Sequence, residues 1–267
     1  GLFKNNFEFK LRYKVYRLPL IPRGDGSKLI RLLNYFTFFI SSLLFTFYIL
    51  IFKKKYDYVI THHTSPIFIG IHSIFHKIFK NSKCIFWELD LWPESLIELK
   101  IINKGFVSKF ISTIVKYIYR FNDYILISSN GFKDKIEKIV SSKKVIYFPN
   151  WADKIIEDYS LENLNFINNS NNDPLKIYYT GNIGEAQGFE KIIEILISLK
   201  NENICWYFIG DGSFKKNLEE KIVVNGLDKV FLIDHQEIEK MLEMISDADL
   251  LLVLLKDNQL FNNTVPA

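Results

Sequence analysis

The sequence predicts an α/β protein built as two domains, each a parallel sheet wound with helices on both faces. Three observations carry this. Short strand-like apolar runs alternate with helix-spaced patterns from residue 56 to 148, and the alternation resumes from 176 to 255; such alternation reads as βαβ units. Between the two runs, residues 163–173 are rich in asparagine and Pro174 follows, a composition that suits a surface linker. The 267 residues, 48% of them apolar, suffice for two cores. The expected organisation is a first domain at 1–159, a linker at 160–174 and a second domain at 175–267.

Residues 1–27 are polar and aromatic, punctuated by Pro19, Pro22 and Gly24-Asp25-Gly26, with room for one strand within 11–20. From 32 to 52 the chain carries no charge for 21 residues, with Lys28 and Arg31 before it and Lys53, Lys54 and Lys55 after. About 20 apolar residues span a bilayer. Asn34, Thr37, Ser41 and Tyr48 nevertheless recur near helical spacing. Three readings stay open: a helix packed on a sheet in a soluble domain, a helix lying in a membrane interface, or a span. Strands are then expected at 56–61, 83–88, 124–128 and 145–148, with helices at 67–79, 106–121 and 132–140. The second run predicts strands at 176–180, 204–209, 230–233 and 250–255, and helices at 189–200, 214–224 and 237–245.

The net charge of +4, from 34 basic and 30 acidic residues, is too small to argue for nucleic acid as a partner. Cys84 and Cys205 both sit in apolar runs and read as small buried hydrophobes in a reducing compartment. No signal-peptide pattern opens the chain.

Chemistry-bearing residues collect where strands end. Lys176 to Leu199 runs from a strand through Gly181-Asn182-Ile183-Gly184 into a helix. Such a turn aims backbone N–H groups and the positive helix end at one point, which suits a phosphate; an ordinary turn needing glycine for its dihedrals is the plainer reading. Phe208-Ile209-Gly210-Asp211-Gly212-Ser213 is a second turn of this kind. Trp87-Glu88-Leu89-Asp90-Leu91-Trp92-Pro93-Glu94-Ser95 follows a strand directly and brings three carboxylates and two tryptophans to its end. Carboxylates there orient sugar hydroxyls or take a proton, and an indole face can stack on a sugar; Pro93 and Glu94 also suit a helix start. His62 and His63 end the preceding strand, either facing a cleft or facing solvent. His72 and His76 have the spacing of a helical metal pair without a third ligand, and Asp247-Ala248-Asp249 reads as a helix end meeting a buried strand, so no metal is expected.

With these residues in place the chain resembles the family 4 retaining glycosyltransferases of GT-B fold, which carry two Rossmann-like domains facing a cleft. The resemblance is strongest to the bacterial branch building lipid-linked polysaccharides, such as O-antigen or capsule N-acetylfucosamine transferases and colanic-acid transferases. It rests on Thr64-Ser65-Pro66, Asp90-Leu91-Trp92-Pro93-Glu94-Ser95, Phe148-Pro149-Asn150-Trp151-Ala152-Asp153, Gly181-Asn182-Ile183-Gly184 with Ala186-Gln187-Gly188, Gly210-Asp211-Gly212 and Phe261-Asn262-Asn263-Thr264-Val265-Pro266. The Asp-Leu-Trp-Pro-Glu-Ser string is the specific part.

The resemblance implies a nucleotide-diphosphate sugar donor held by Gly181, Asn182, Gly184, Gln187, Gly210 and Asp211. It implies an undecaprenyl-diphosphate-type lipid-linked acceptor near His63, Ser65 and Trp92, with Asp90, Glu88 and Glu94 as the catalytic candidates. It further implies no cofactor or metal, and a cytoplasmic enzyme held peripherally on the inner membrane through 32–52. Asn182 and Gln187 stand where many members carry basic residues, and Leu89 replaces a common histidine before Asp90. The family's opening strand, its glycine-rich loop and its Glu-x7-Glu region are not found, so truncation at both ends is expected. A nucleotide-sugar epimerase of the same architecture and a non-catalytic membrane-associated module are the alternatives.

Overall fold

The computed structural model describes residues 7–10, 13–22, 28–98, 101–162, 173–258 and 261–265. They form two compact units, Gly1–Pro149 and Asn150–Ala267.

The first unit opens with an antiparallel hairpin of β1 (Phe7–Lys10) and β2 (Tyr13–Tyr16), followed by α1 (Lys28–Phe52). Then come β3 (Tyr58–His63), α2 (Ile71–Lys80), β4 (Lys83–Glu88), α3 (Glu94–Glu98), α4 (Phe106–Phe121), β5 (Tyr124–Ile127), α5 (Lys133–Glu137) and β6 (Val145–Tyr147). The helix expected at 132–140 is shorter, flanked by tight turns at Asn130–Phe132 and Ser142–Lys144. The four strands β3 to β6 are parallel and lie in chain order.

Helices α2 and α4 cover one face of this sheet. The Tyr119 ring of α4 lies 5.9 Å from that of Phe86, and the Cys84 thiol donates to the Ser73 carbonyl of α2 at 3.2 Å. On the other face Tyr58, Ile60 and Tyr124 stay exposed. Cover on both faces was expected. The strand order explains the difference: it never reverses within the described residues, and right-handed crossovers that keep advancing return on the same side.

The long apolar helix α1 also departs from the reading of a helix buried on a sheet. It packs against α2, and only 11% of its apolar stretch is buried. Its polar residues face inward. Asn34 is buried and donates to the Ile21 carbonyl at 2.6 Å, while Thr37 accepts from the Ile21 N–H at 3.1 Å. Ser42 and Thr46 are buried against the two ring nitrogens of His72, at 2.9 and 3.2 Å. Leu32, Phe36, Ile40, Leu44 and Ile51 are exposed along the opposite stripe. The helix is inside out for a soluble protein.

His72 therefore serves the α1–α2 seam, and its pairing with His76 as a metal site is not what the geometry uses. Burial, then the neighbouring His76, pushes the His72 imidazole down to about 4. A free histidine titrates near 6.5, so the unfolded chain takes up a proton on acidification before the folded one does. The contribution of His72 is complete above about pH 6.5 and is lost as pH falls toward 4. Denaturant melts at pH 7.5 and 4.5 are expected to differ by about 2 kcal/mol more in the wild type than in His72→Gln, which does not titrate. Equal pH slopes would refute this account.

The second unit begins with α6 (Lys154–Glu162), which packs on α9. The boundary read from the sequence thus falls too late, because α6 holds few apolar residues and gives no clear period. Its end overlaps the start of the expected linker; residues 163–172 of that linker lie outside the described residues. Next come β7 (Leu175–Thr180), α7 (Phe189–Ser198), β8 (Ile204–Ile209), α8 (Lys215–Asn225), β9 (Val230–Ile233), α9 (Ile238–Ile245) and β10 (Leu250–Leu251). Ile177, Tyr179, Phe208, Phe189, Leu196 and Leu218 centre the core between sheet and helices. On the opposite face the rings of Tyr178, Tyr207 and Phe231 stack in a row, 4.4 and 5.0 Å apart.

The parallel order here is β10-β7-β8-β9. The chain advances from β7 to β9 and then returns through α9 to pair β10 on the far side of β7. The order thus reverses between β7 and β10, and ligands of open α/β sheets bind outside the carboxyl ends at such a switch point. The run 250–255, read as a buried strand, is an exposed two-residue edge strand instead: Leu250, Leu251 and Val253 all face solvent. Asp247 and Asp249 tie this edge to β7, through the Lys176 ammonium and the Lys176 N–H respectively.

Candidate functional site

In the first unit the carboxyl ends of β3 and β4 converge on one carboxylate. Glu88, last residue of β4, and His63, last of β3, lie side by side in the parallel register. Both are fully buried. His63 Nδ1 donates to Glu88 Oε1 at 2.5 Å, and the Tyr119 hydroxyl of α4 donates to Glu88 Oε2. Burial, then the Glu88 charge, raises the Tyr119 phenol well above its ordinary value, so it remains a donor. Glu88 also accepts from the Asp90 N–H at 3.4 Å. A carboxylate so enclosed does not meet a substrate. It positions His63, whose Nε2 is buried without a partner among the described residues.

Asp90 stands just beyond, partly exposed, accepting from Trp92 Nε1 at 3.2 Å. Burial raises its carboxyl above the usual range. Trp87 and Trp92 are both buried, so neither offers the indole face expected for sugar stacking. Trp92 packs edge-on to His63 at 6.2 Å and holds the Asp90 carboxylate. Glu94 sits in the first turn of α3, the structural position that its sequence context allowed. Ser65 is half-buried beyond β3; His62 is exposed, edge-on to Trp87 at 4.8 Å. The histidine pair therefore divides, one inward and one outward.

In the second unit the two glycine turns interlock at the carboxyl ends of β7 and β8. Gly181 N–H donates to the Ile209 carbonyl at 3.0 Å, Ile183 N–H to Asp211 at 2.8 Å, and Phe214 N–H back to Ile183 at 2.9 Å. The β7–β8 ladder thus continues through both turns. The Gly181 N–H is spent on this ladder and the Gly210 N–H on the β8–β9 ladder, at the Ile233 carbonyl, so neither is available to a phosphate as its sequence position suggested. The N–H groups of Asn182 and Gly184 have no protein acceptor among the described residues. Asn182 and Gln187 bond to each other through their side chains at 3.2 Å. Asp211 accepts from the Gly212 N–H at 2.7 Å and so shapes its own turn.

Tertiary packing brings cations that no local spacing announced. Lys256, just past β10, donates its N–H to Ala186 at 2.8 Å, and its ammonium lies 3.4 Å from both Glu185 and Glu190. Lys215 reaches the Gly210 carbonyl at 3.0 Å and Asp234 at 2.5 Å. Thr180, Gly181, Gly210, His235, Glu237 and Met241 line a cavity of about 410 Å³ beside the turns. His235, Gln236 and Glu237 were overlooked in the sequence, although their place just past a parallel strand was the available signal. In the first unit a cavity of about 570 Å³, lined by Lys55, Lys77, Lys83 and Asp123, opens at the amino ends of the sheet, the end opposite Glu88 and Asp90.

No family model matches the chain. WcaI of Escherichia coli (strain K12), named as a colanic acid biosynthesis glycosyl transferase, is 25% identical over 253 residues, covering 91% of this chain and 61% of that protein. WbjE of Pseudomonas aeruginosa, named as a glycosyltransferase, is 24% identical over 135 residues, covering 49% and 34%. The crystal structure of HepE from Anabaena in complex with UDP superposes with a TM-score of 0.58 at 12% identity, over 79% of this chain and 57% of that one. This chain has the GT-B glycosyltransferase fold. Both GT-B units are recognisable in it, and the chain spans about 61% of the length of the WcaI relative.

Proposed function

We propose that this GT-B chain transfers a sugar from a nucleotide-diphosphate sugar to an undecaprenyl-diphosphate-type lipid-linked acceptor in cell-surface polysaccharide synthesis, with retention of anomeric configuration. The observation that carries the reading is the pair of interlocked glycine turns at the carboxyl ends of β7 and β8, beside a cavity large enough for a nucleoside. The free N–H groups of Asn182 and Gly184 would meet the diphosphate, with Lys256 and Lys215 supplying positive charge in place of the basic residues that Asn182 and Gln187 replace. No metal ion is needed in this scheme. The nucleoside would occupy the cavity near His235 and Glu237.

On the first unit, Asp90 would orient the acceptor hydroxyl, with His63 held behind it by Glu88 and Tyr119. The outward stripe of α1 supports a membrane-bound acceptor, approached at the cytoplasmic face; an epimerase acting on a soluble sugar nucleotide has no use for it. Calorimetric titration of the full chain tests the donor site. UDP or another nucleoside diphosphate is expected to bind about tenfold or more tightly than its monophosphate, and Lys256→Ala to erase most of that difference. Absence of binding by any nucleoside diphosphate or nucleotide sugar would overturn the reading.

A further inference from the structure

The positive charge of the chain is concentrated in one stretch. Residues 53–87 hold six lysines and one aspartate, against 34 basic and 30 acidic residues in the whole sequence. The fold gathers them at the amino ends of the first sheet, where α1 and α2 end and β3 and β4 begin. Helix carboxyl ends collect on this side of a parallel sheet, and lysines there complement the helix dipoles. Lys77 and Lys80, in the last turn of α2, do so. Lys80 reaches the Lys53 carbonyl at 3.4 Å, and Lys77 donates to both oxygens of Asp123 at 2.6 and 2.8 Å. Asp123 also accepts from the Cys84 N–H at 2.8 Å. Lys55 and Lys83 belong to no helix, so the dipoles do not explain them. Among the described residues neither forms an ion pair with a carboxylate.

Both line the cavity of about 570 Å³ at this end of the sheet, together with Asp57, Tyr58, Asn81 and the Lys77–Asp123 pair. The Lys83 ammonium lies over the Tyr58 ring, 5.9 Å from its centre. Asn81 closes α2 in the left-handed conformation, with φ of 48°. We infer that this cavity binds a sugar monophosphate, with Lys55 and Lys83 on the phosphate and Asp57 and Asn81 on the hydroxyls. Two lysines without carboxylate partners in one cavity select an anion, and lysine binds phosphate as a point charge. A bare phosphate would leave most of the volume empty. No aliphatic side chain lines it, so an apolar body would gain little by leaving water there, whereas a hydroxylated one finds donors and acceptors. Lys83 is the first residue of β4 and Glu88 the last, so the ligand sits at the far end of the strand from Asp90 and acts as an effector, not a reactant. The site is independent of the donor turns.

Isothermal titration of the full chain with glucose 6-phosphate, inorganic phosphate and glucose, in about 150 mM salt, tests this. Glucose 6-phosphate is expected to bind at one site with a millimolar or tighter dissociation constant, more tightly than inorganic phosphate, and glucose not at all. Lys55→Ala and Lys83→Ala should each weaken binding about tenfold, the loss of one charge-assisted hydrogen bond. Lys54→Ala, which removes an exposed lysine outside the cavity, should leave it unchanged, and so should Lys256→Ala in the second unit. Lys55 and Lys83 are exposed, and unchanged circular dichroism will confirm that their variants fold. No binding of glucose 6-phosphate overturns the inference. Equal binding by the wild type and Lys55→Ala/Lys83→Ala, or binding seen only at low salt, would mark an adventitious ion only. Inorganic phosphate binding as tightly as glucose 6-phosphate would refute the sugar ligand. If no soluble phosphate binds but phosphatidylglycerol vesicles do, through the same two lysines, a lipid surface takes the charge and the inference falls. Loss of glucose 6-phosphate binding in Lys256→Ala alone would place the ligand at the donor turns, overturning this site and leaving the proposed transferase function standing.

Discussion

Asp90→Ala is expected to reduce sugar transfer by roughly two to three orders of magnitude while nucleotide affinity stays within about twofold, since a positioned acid or base contributes of that order. The separation follows from where the residue stands. Asp90 lies at the carboxyl end of β4 in the first unit, whereas the proposed diphosphate contacts lie on the turns after β7 and β8 in the second. The substitution also frees Trp92 Nε1, so Asp90→Asn, which can still accept from the indole, separates the two roles. A loss of activity in both variants with an unchanged melting temperature assigns the carboxylate to the reaction. Parallel loss of nucleotide binding, or rescue by asparagine, would make Asp90 structural.

Gly210→Ala is expected to be among the most damaging single substitutions in the second unit. A Cβ at Gly210 would fall 1.9 Å from the Gly181 carbonyl oxygen and 3.0 Å from its carbon, and the residue adopts φ of +149°. Both obstacles are backbone, so no side chain can swing aside. Strain and overlap of this kind place the cost at about 3 kcal/mol or more. Thermal unfolding should show it, and nucleotide titration should show the donor site gone. Gly105→Ala is the control: a Cβ there meets nothing within 4 Å, and its φ of 170° is ordinary extended backbone. A Gly210→Ala melting temperature close to that of Gly105→Ala would refute the account.

What could be read from the residues was what depends on short-range pattern. The strands at 83–88, 204–209 and 230–233 and the helix at 106–121 fall where expected, because their apolar periods are clean and their ends carry turn residues. Asp90 and the glycine turns could be singled out because in parallel sheets the chain just past a strand is where ligands bind.

What could not be read depends on contacts between distant residues. Nothing in the spacing ties Tyr119 to Glu88, 31 residues away, or Lys256 to Glu185, 71 away. The turn that lacked a basic neighbour in sequence acquires one in space. Periodicity shows that α1 has a polar and an apolar side but not which one faces in; His72 decides that by offering two ring nitrogens to Ser42 and Thr46. The run 250–255 misled because apolar composition alone does not distinguish a central strand from an edge.

The polar seam between α1 and α2 has a mechanical side. A helix held by greasy packing alone can roll about its axis at small cost, but rolling α1 would break its bonds to His72 and to Ile21 together. The seam acts as a keyway. With the stripe embedded in lipid, the keyway would fix the heading of the first unit at the surface and confine its encounters with a bilayer-borne acceptor to two dimensions, with Asp90 always presented at the same angle.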